Sequence, residues 1–105
     1  MAQPRSGTAS KLDDDYYPAY TMGRASDLLG VQPSFLRSLD ATGLLTPERS
    51  AGGQRRYSRS ELNVAARVRA LLDENMSLAA ACRIVTLEQR LDKANRRIAE
   101  LEAGR

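Results

Sequence analysis

From Ser77 to Ala103 the chain contains neither glycine nor proline, and most of that stretch carries a helical seam. Ile84, Leu87, Leu91, Ala94, Ile98 and Leu101 follow one another at spacings of three, four, three, four and three. This is the heptad pattern of a coiled coil, carried for just over two repeats. Charged residues, among them Glu88, Arg90, Lys93, Arg97 and Glu100, line its flanks. A lone helix of this composition is marginal in water, because little apolar surface is buried to offset the cost of ordering it. The seam therefore requires a partner surface. No unpaired helix earlier in the chain matches it, so a second copy of the chain is expected to cover these six residues as a dimer interface.

The remainder can supply only a modest core. Aromatic residues make up 5% of the 105 residues, with no Trp and one Phe, so burial rests on Leu, Val, Ile and Ala. A chain of this size and composition accommodates one small domain plus appendages and leaves no room for a deep catalytic cleft. Residues 1–17, of which the first 15 are polar, include the run Asp13, Asp14 and Asp15 and lack apolar periodicity. They read as a disordered tail. Residues 18–85 are expected to form the domain, and residues 86–105 the coiled-coil helix.

Pro18 excludes helix at the domain's start and favours a short strand over Tyr20 to Met22. Ala25, Leu28 and Leu29 then fall at helical spacing, with Gly23 as a candidate start and Gly30 as the stop. Pro33 suits the first turn of a second helix, whose buried edge is Leu36 and Leu39; Gln32 ahead of it is a poor cap. Gly43 is placed to end that helix in a left-handed conformation, with Leu44 folding back on it. Two short helices joined by "LGVQ" outline a helix-turn-helix, although a plain helical hairpin would read alike.

The segment "LLTPERSAGGQRRYS" separates the two readings. It reads as a β-hairpin with flexible glycines, Gly52 and Gly53, at its tip. Arg49, Arg55, Arg56 and Arg59 fall within it or just beyond, with no acid between Arg49 and Arg59. Residues 20–59 hold six arginines against three acids, which accounts for the formal net charge of +3. Guanidinium groups are permanently charged and donate paired hydrogen bonds to phosphate, so an arginine-bearing hairpin beside a helix-turn-helix is a wing for nucleic acid. A solvated surface turn is the alternative. A third helix follows over residues 60–74, with Ser60 as its N-cap and Leu62, Ala65, Val68, Leu71 and Leu72 as its apolar positions. Asn75 caps its end, and Ser77 opens the fourth helix through Leu78, Ala81, Ile84 and Val85.

The order of these parts resembles the MerR family of bacterial transcription regulators. The likeness rests on "YTMGRASDLLGV", "FLRSLDATGLLTP" and especially "AGGQRRYSRSEL", and the continuation "SLAAACRIVTLEQRL" looks most like the heat-shock repressor (HspR-like) branch. The fold so implied is mainly α with a small β-hairpin wing: a winged helix-turn-helix domain followed by a C-terminal dimerisation helix. The resemblance further implies a homodimer, joined by an antiparallel coiled coil, acting on a pseudo-palindromic promoter site in double-stranded DNA. Carried over by position, Ser34 and Arg37 face the major groove with Ser38 beside them, and Phe35 lies on a thymine methyl or sugar edge or belongs to the core. Arg24 and Arg49 contact phosphates, and Gly53, Arg55, Arg56 and Tyr57 belong to the wing, with Tyr57 either on DNA or packed beneath it. RNA polymerase, or a regulatory protein such as the chaperone used by HspR-like relatives, is a further implied partner. An architectural DNA-bending protein of the excisionase-like or nucleoid type is the alternative function.

Other classes find little support. There is no His and one Cys, Cys82, which excludes clustered-thiol metal or redox sites and an intramolecular disulfide. No metal, cofactor or small-molecule effector is expected. No phosphate-cradling glycine loop precedes a helix and no carboxylates converge on one face, so no enzymatic site is expected. The absence of a membrane-length apolar run or a secretory signal points to a cytoplasmic, nucleoid-associated protein.

Overall fold

The computed structural model describes residues 14–104. Most of the expected N-terminal tail, residues 1–13, lies outside the described residues. In chain order the elements are β1 (Tyr20–Thr21), α1 (Met22–Leu29), α2 (Pro33–Ala41), β2 (Glu48–Arg49), β3 (Arg55–Tyr57), α3 (Arg59–Asp73) and α4 (Leu78–Ala103). They fall into two compact units, one reaching to Ala66 and the other beginning at Arg67. The domain boundary expected between residues 85 and 86 falls inside α4, which runs unbroken through it.

In the first unit β3 is the central strand of an antiparallel sheet ordered β1-β3-β2. Tyr20 pairs with Tyr57 and Thr21 with Arg56 on one side, and Glu48 pairs with Arg56 and Arg49 with Arg55 on the other. Ala25, Leu36, Leu39, Leu45, Tyr57, Leu62 and Ala65 form the core of this unit. Two short helices cannot cover that apolar surface without the sheet, so the hairpin is part of the domain and not an ornament on it.

Several local expectations are corrected by the caps. The strand expected over Tyr20 to Met22 ends at Thr21, which is the N-cap of α1, its Oγ1 accepting from the Arg24 amide at 3.1 Å. Gly23 is therefore inside the helix and does not start it. The apolar edge of α1 is narrower than its spacing suggests: Ala25 and Ser26 are buried, while Leu28 is 52% exposed. Gly30 does end α1, in the left-handed region at φ 66°. Pro33 opens α2 behind Gln32, whose side chain makes no capping bond. At the far end Gly43 takes φ 81°, but Leu45, and not Leu44, returns to the core.

The cap of α3 is the largest correction. The N-cap is Ser58, and not Ser60: its Oγ accepts from the Glu61 amide at 3.1 Å, while Glu61 Oε1 accepts from the Ser58 amide at 3.0 Å. This is a reciprocal capping box, in which the two residues satisfy each other's orphan donors. The other carboxylate oxygen of Glu61 accepts from the Thr46 amide at 3.0 Å, which ties the start of α3 to the chain entering the hairpin. Glu61→Ala is accordingly expected to cost about 1–2 kcal/mol, read as a lowered Tm in circular dichroism, with Glu61→Gln recovering part of it. The described end of the expected disordered tail is also ordered at this helix start. Residues 14–17 form a turn in which the Asp15 carbonyl accepts from the Ser60 amide at 2.8 Å, and the Asp15 carboxylate lies 3.5 Å from Arg59.

In the second unit the rest of α3 and α4 bury Val68, Leu71, Ala81 and Val85. Asn75, at φ 68°, makes the left-handed turn out of α3, and Ser77 caps α4 by accepting from the Ala80 amide at 3.1 Å. Arg67 and Glu88 clasp the two helices through paired bonds of 3.0 and 2.9 Å. Those bonds hold the Glu88 carboxyl below its ordinary range. Cys82, expected on a buried face, is half-buried. Along the seam Leu87, Leu91, Ile98 and Leu101 are 50–59% exposed, and Ile84 is half-buried.

Candidate nucleic-acid interface

α2 presents Ser34 and Arg37 to solvent because Leu36 and Leu39 hold its opposite edge in the core. Phe35 and Ser38 lie between these faces and are half-buried. The Ser38 hydroxyl donates to the Ser34 carbonyl at 2.9 Å, so it is occupied within its own helix. Arg37 reaches across to α1, where its Nη1 lies 3.7 Å from Met22 Sδ. Neither Asp27 nor Asp40 engages it.

The hairpin between β2 and β3 is tighter than a flexible glycine tip. The Ser50 amide donates to the Gln54 carbonyl at 2.7 Å, the Gly53 amide to the Ser50 carbonyl at 2.8 Å, and the Gln54 amide to Ser50 Oγ at 3.2 Å. Only Gly53 needs to be glycine for backbone reasons, since its φ of 81° is one that L side chains rarely adopt. Arg49 Nη1 donates to the Gly53 carbonyl at 2.9 Å, folding its guanidinium over the tip. An open cleft of about 330 Å³ lies between this tip and the start of α1, lined by Thr21, Met22, Gly23, Arg49, Gly53, Gln54 and Arg55. Arg24, next to it in sequence, is exposed.

The three residues "RRY", expected to belong to the wing, diverge. Tyr57 is fully buried, and its hydroxyl donates to Asp40 Oδ2 at 2.9 Å, which places it in the core beneath the wing. Burial, reinforced by the Asp40 carboxylate, holds its phenol well above the ordinary range. Arg55 turns inward as well: its Nε lies 2.7 Å from the same Asp40 oxygen, although its N–H is not aligned for a hydrogen bond. Arg56 is half-buried, and its Nη1 has no hydrogen-bond partner among the described residues. A β-strand alternates its faces, so three consecutive residues cannot all point the same way.

Asp40 is the residue to which sequence reasoning gave no place at the wing. A signal was available. It is an acid in the last turn of α2, where the helix dipole disfavours negative charge, and such a placement asks for an external cation. Among the described residues no cluster of His, Cys, Asp and Glu could hold a metal ion, and no helix is long and apolar enough to cross a membrane.

Comparison with known proteins agrees with this architecture. A protein of Streptomyces coelicolor carrying the name heat shock protein HspR is 39% identical over 88 residues, which cover 83% of this chain and 58% of that protein. The chain thus spans less than two thirds of the curated relative it matches. The crystal structure of HiNmlR, a MerR family regulator lacking the sensor domain and bound to promoter DNA, superposes with a TM-score of 0.58 at 28% identity, covering 79% of this chain and 75% of that one. A MerR family transcriptional regulator from Bacillus cereus gives 0.57 at 24% identity, over 79% and 69%, and shares the fold. The profile of MerR HTH family regulatory proteins matches residues 20–88, from β1 into the first half of α4, and the chain belongs to that family.

Proposed function

We propose that this chain is a DNA-binding transcriptional regulator that acts as a homodimer on a pseudo-palindromic promoter site. One observation carries the reading: Met22 lies against Arg37 of α2 and also lines the cleft bounded by the wing tip, so the second helix, the start of α1 and the wing form a continuous basic edge. Arg37 and Ser34 supply the base-edge contacts, with Phe35 at their margin. Arg24, Arg49 and Arg56, with the close-approaching backbone of Gly53, supply the phosphate contacts. Ser38 acts through Ser34.

Dimerisation supplies the second half-site. Between Ile84 and Leu101 the seam is about 26 Å long at the helical rise, and its four large exposed residues match the surface a second copy would cover. A monomer reads too few base pairs to be selective, whereas two helices set one turn apart read a repeated motif. Regulation through RNA polymerase or a protein partner is compatible with this arrangement, and the DNA-facing residues do not depend on it.

Genome-wide immunoprecipitation tests the function. A few inverted-repeat sites at promoters are expected, and broad or tandem occupancy would replace a discrete regulator with an architectural protein. In vitro, Arg24→Ala with Arg49→Ala should weaken binding to specific and mixed-sequence duplexes alike. It should also flatten the plot of log affinity against log salt by about 0.9 for each phosphate no longer neutralised. An unchanged slope would remove both residues from the interface.

A further inference from the structure

The four-arginine segment has one member held against a largely buried carboxylate. Arg55, on the central strand β3, lies 2.7 Å from the carboxylate of Asp40 on α2, and the same oxygen accepts the Tyr57 hydroxyl at 2.9 Å. The Asp40 side chain is 11% exposed and that of Arg55 27%. Asp40 Oδ1 is buried with no hydrogen-bond partner among the described residues, so the carboxylate depends on these two contacts for its solvation. An acid placed so, at the C-terminal end of a helix and largely out of water, is retained only with a cation held against it.

We infer that Asp40 is a positioning residue: by neutralising and holding Arg55 it locks the wing to the end of the second helix, and it keeps Arg55 from acting as an indiscriminate phosphate ligand. This rests on the DNA-binding reading and deepens it. The wing and α2 are joined at this point by side chains from both elements, so the spacing between a base-reading helix and a phosphate-gripping hairpin is set by the Asp40 contacts. Register on DNA is fixed by backbone contacts, and a wing free to wander would grip phosphates without fixing it. Releasing Arg55 adds a mobile cation to the DNA-facing side of the sheet. Non-specific binding therefore strengthens as specific binding weakens, a pair of opposite changes that simple destabilisation does not produce.

The test compares wild type, Asp40→Asn, Arg55→Gln and the double variant on two probes: a mixed-sequence duplex of about three helical turns, and a duplex recovered by immunoprecipitation. Asparagine retains a carbonyl for the Tyr57 hydroxyl while removing the charge. Asp40→Asn is expected to steepen the salt slope on the mixed-sequence duplex by about 0.9 per newly neutralised phosphate. Its affinity for the recovered site should fall about tenfold, the scale of a single discriminating base pairing. The double variant should return to the wild-type slope. Arg55→Gln alone, which leaves the Tyr57 to Asp40 bond in place, should keep the wild-type slope. It is the decisive variant if Asp40→Asn folds poorly. A slope flattened by Arg55→Gln, or unchanged in folded Asp40→Asn, overturns the proposal. The same four proteins form a double-mutant cycle in thermal unfolding that needs no DNA, and additive effects there overturn the lock itself. Wild-type protein that shows no salt-dependent duplex binding would overturn the DNA-binding reading, and the positioning role with it, while leaving the coupling in the cycle intact, so the two failures are told apart.

Discussion

Replacing both Leu91 and Ile98 with Asp should yield a monomer by sedimentation equilibrium, with affinity for the promoter site reduced at least about a hundredfold. Each side chain is more than half exposed in the single chain, 59% and 52%, so the substitutions leave no cavity in either unit. The effect is confined to what a partner covers. Fully burying a Leu or Ile side chain contributes about 1.5–3 kcal/mol, and two carboxylates in each chain facing their counterparts would oppose association further. Affinity falls with it because two linked half-sites exceed either one alone by about 10²–10⁴. Circular dichroism of the variant should show retained helix, since Val68, Leu71, Ala81 and Val85 are untouched. A dimer that persists would place the interface elsewhere, and a monomer that binds as tightly as wild type would remove the need for one.

Tyr57→Ala should leave the protein largely unfolded at physiological temperature. Tyr57 is the largest fully buried side chain and sits on the central strand, paired to Tyr20, with its hydroxyl on Asp40. Truncating a buried aromatic costs about 3–5 kcal/mol, most of what a small domain has, and here it also strips Asp40 of a donor. Tyr57→Phe isolates the hydroxyl and should cost about 1 kcal/mol. The pH dependence separates the two contributions. Because the phenol is held above its ordinary value in the folded state, its contribution to stability is complete below about pH 10 and is lost as pH rises beyond that. Wild-type Tm should therefore fall more steeply through the alkaline range than that of Tyr57→Phe, and parallel curves would show that Tyr57 is not held in this way.

Much of the second unit and the order of the helices was legible because periodicity and punctuation are local properties. Gly30, Pro33, Gly43, Asn75 and Ser77 act through their own backbone preferences, and each stands where those preferences put it. The seam was legible for the same reason, since spacing along a helix sets which residues share a face. The cap of α3 was also written locally, as Ser58 with Glu61 three residues later, but a second serine at position 60 offered a competing start. Only the tertiary structure shows that Glu61 also holds Thr46, which favours the earlier one.

The cationic hairpin was legible in composition and not in detail. A run of arginines around a glycine turn announces a cationic hairpin, yet charge in a sequence carries no direction. The pairing of β3 between two strands, and the closeness of α2 to that strand, sent Tyr57 into the core, turned Arg55 toward Asp40 and left Arg49 folded over the tip. The Asp40 contacts join residues 15 and 17 positions apart, and no local preference encodes them. By itself the sequence determined the helices, their stops, the hairpin and the unpartnered seam, because each depends on neighbours within a turn or two of chain. Tertiary structure alone decided which arginines face outward, because that depends on which carboxylate the fold brings within reach.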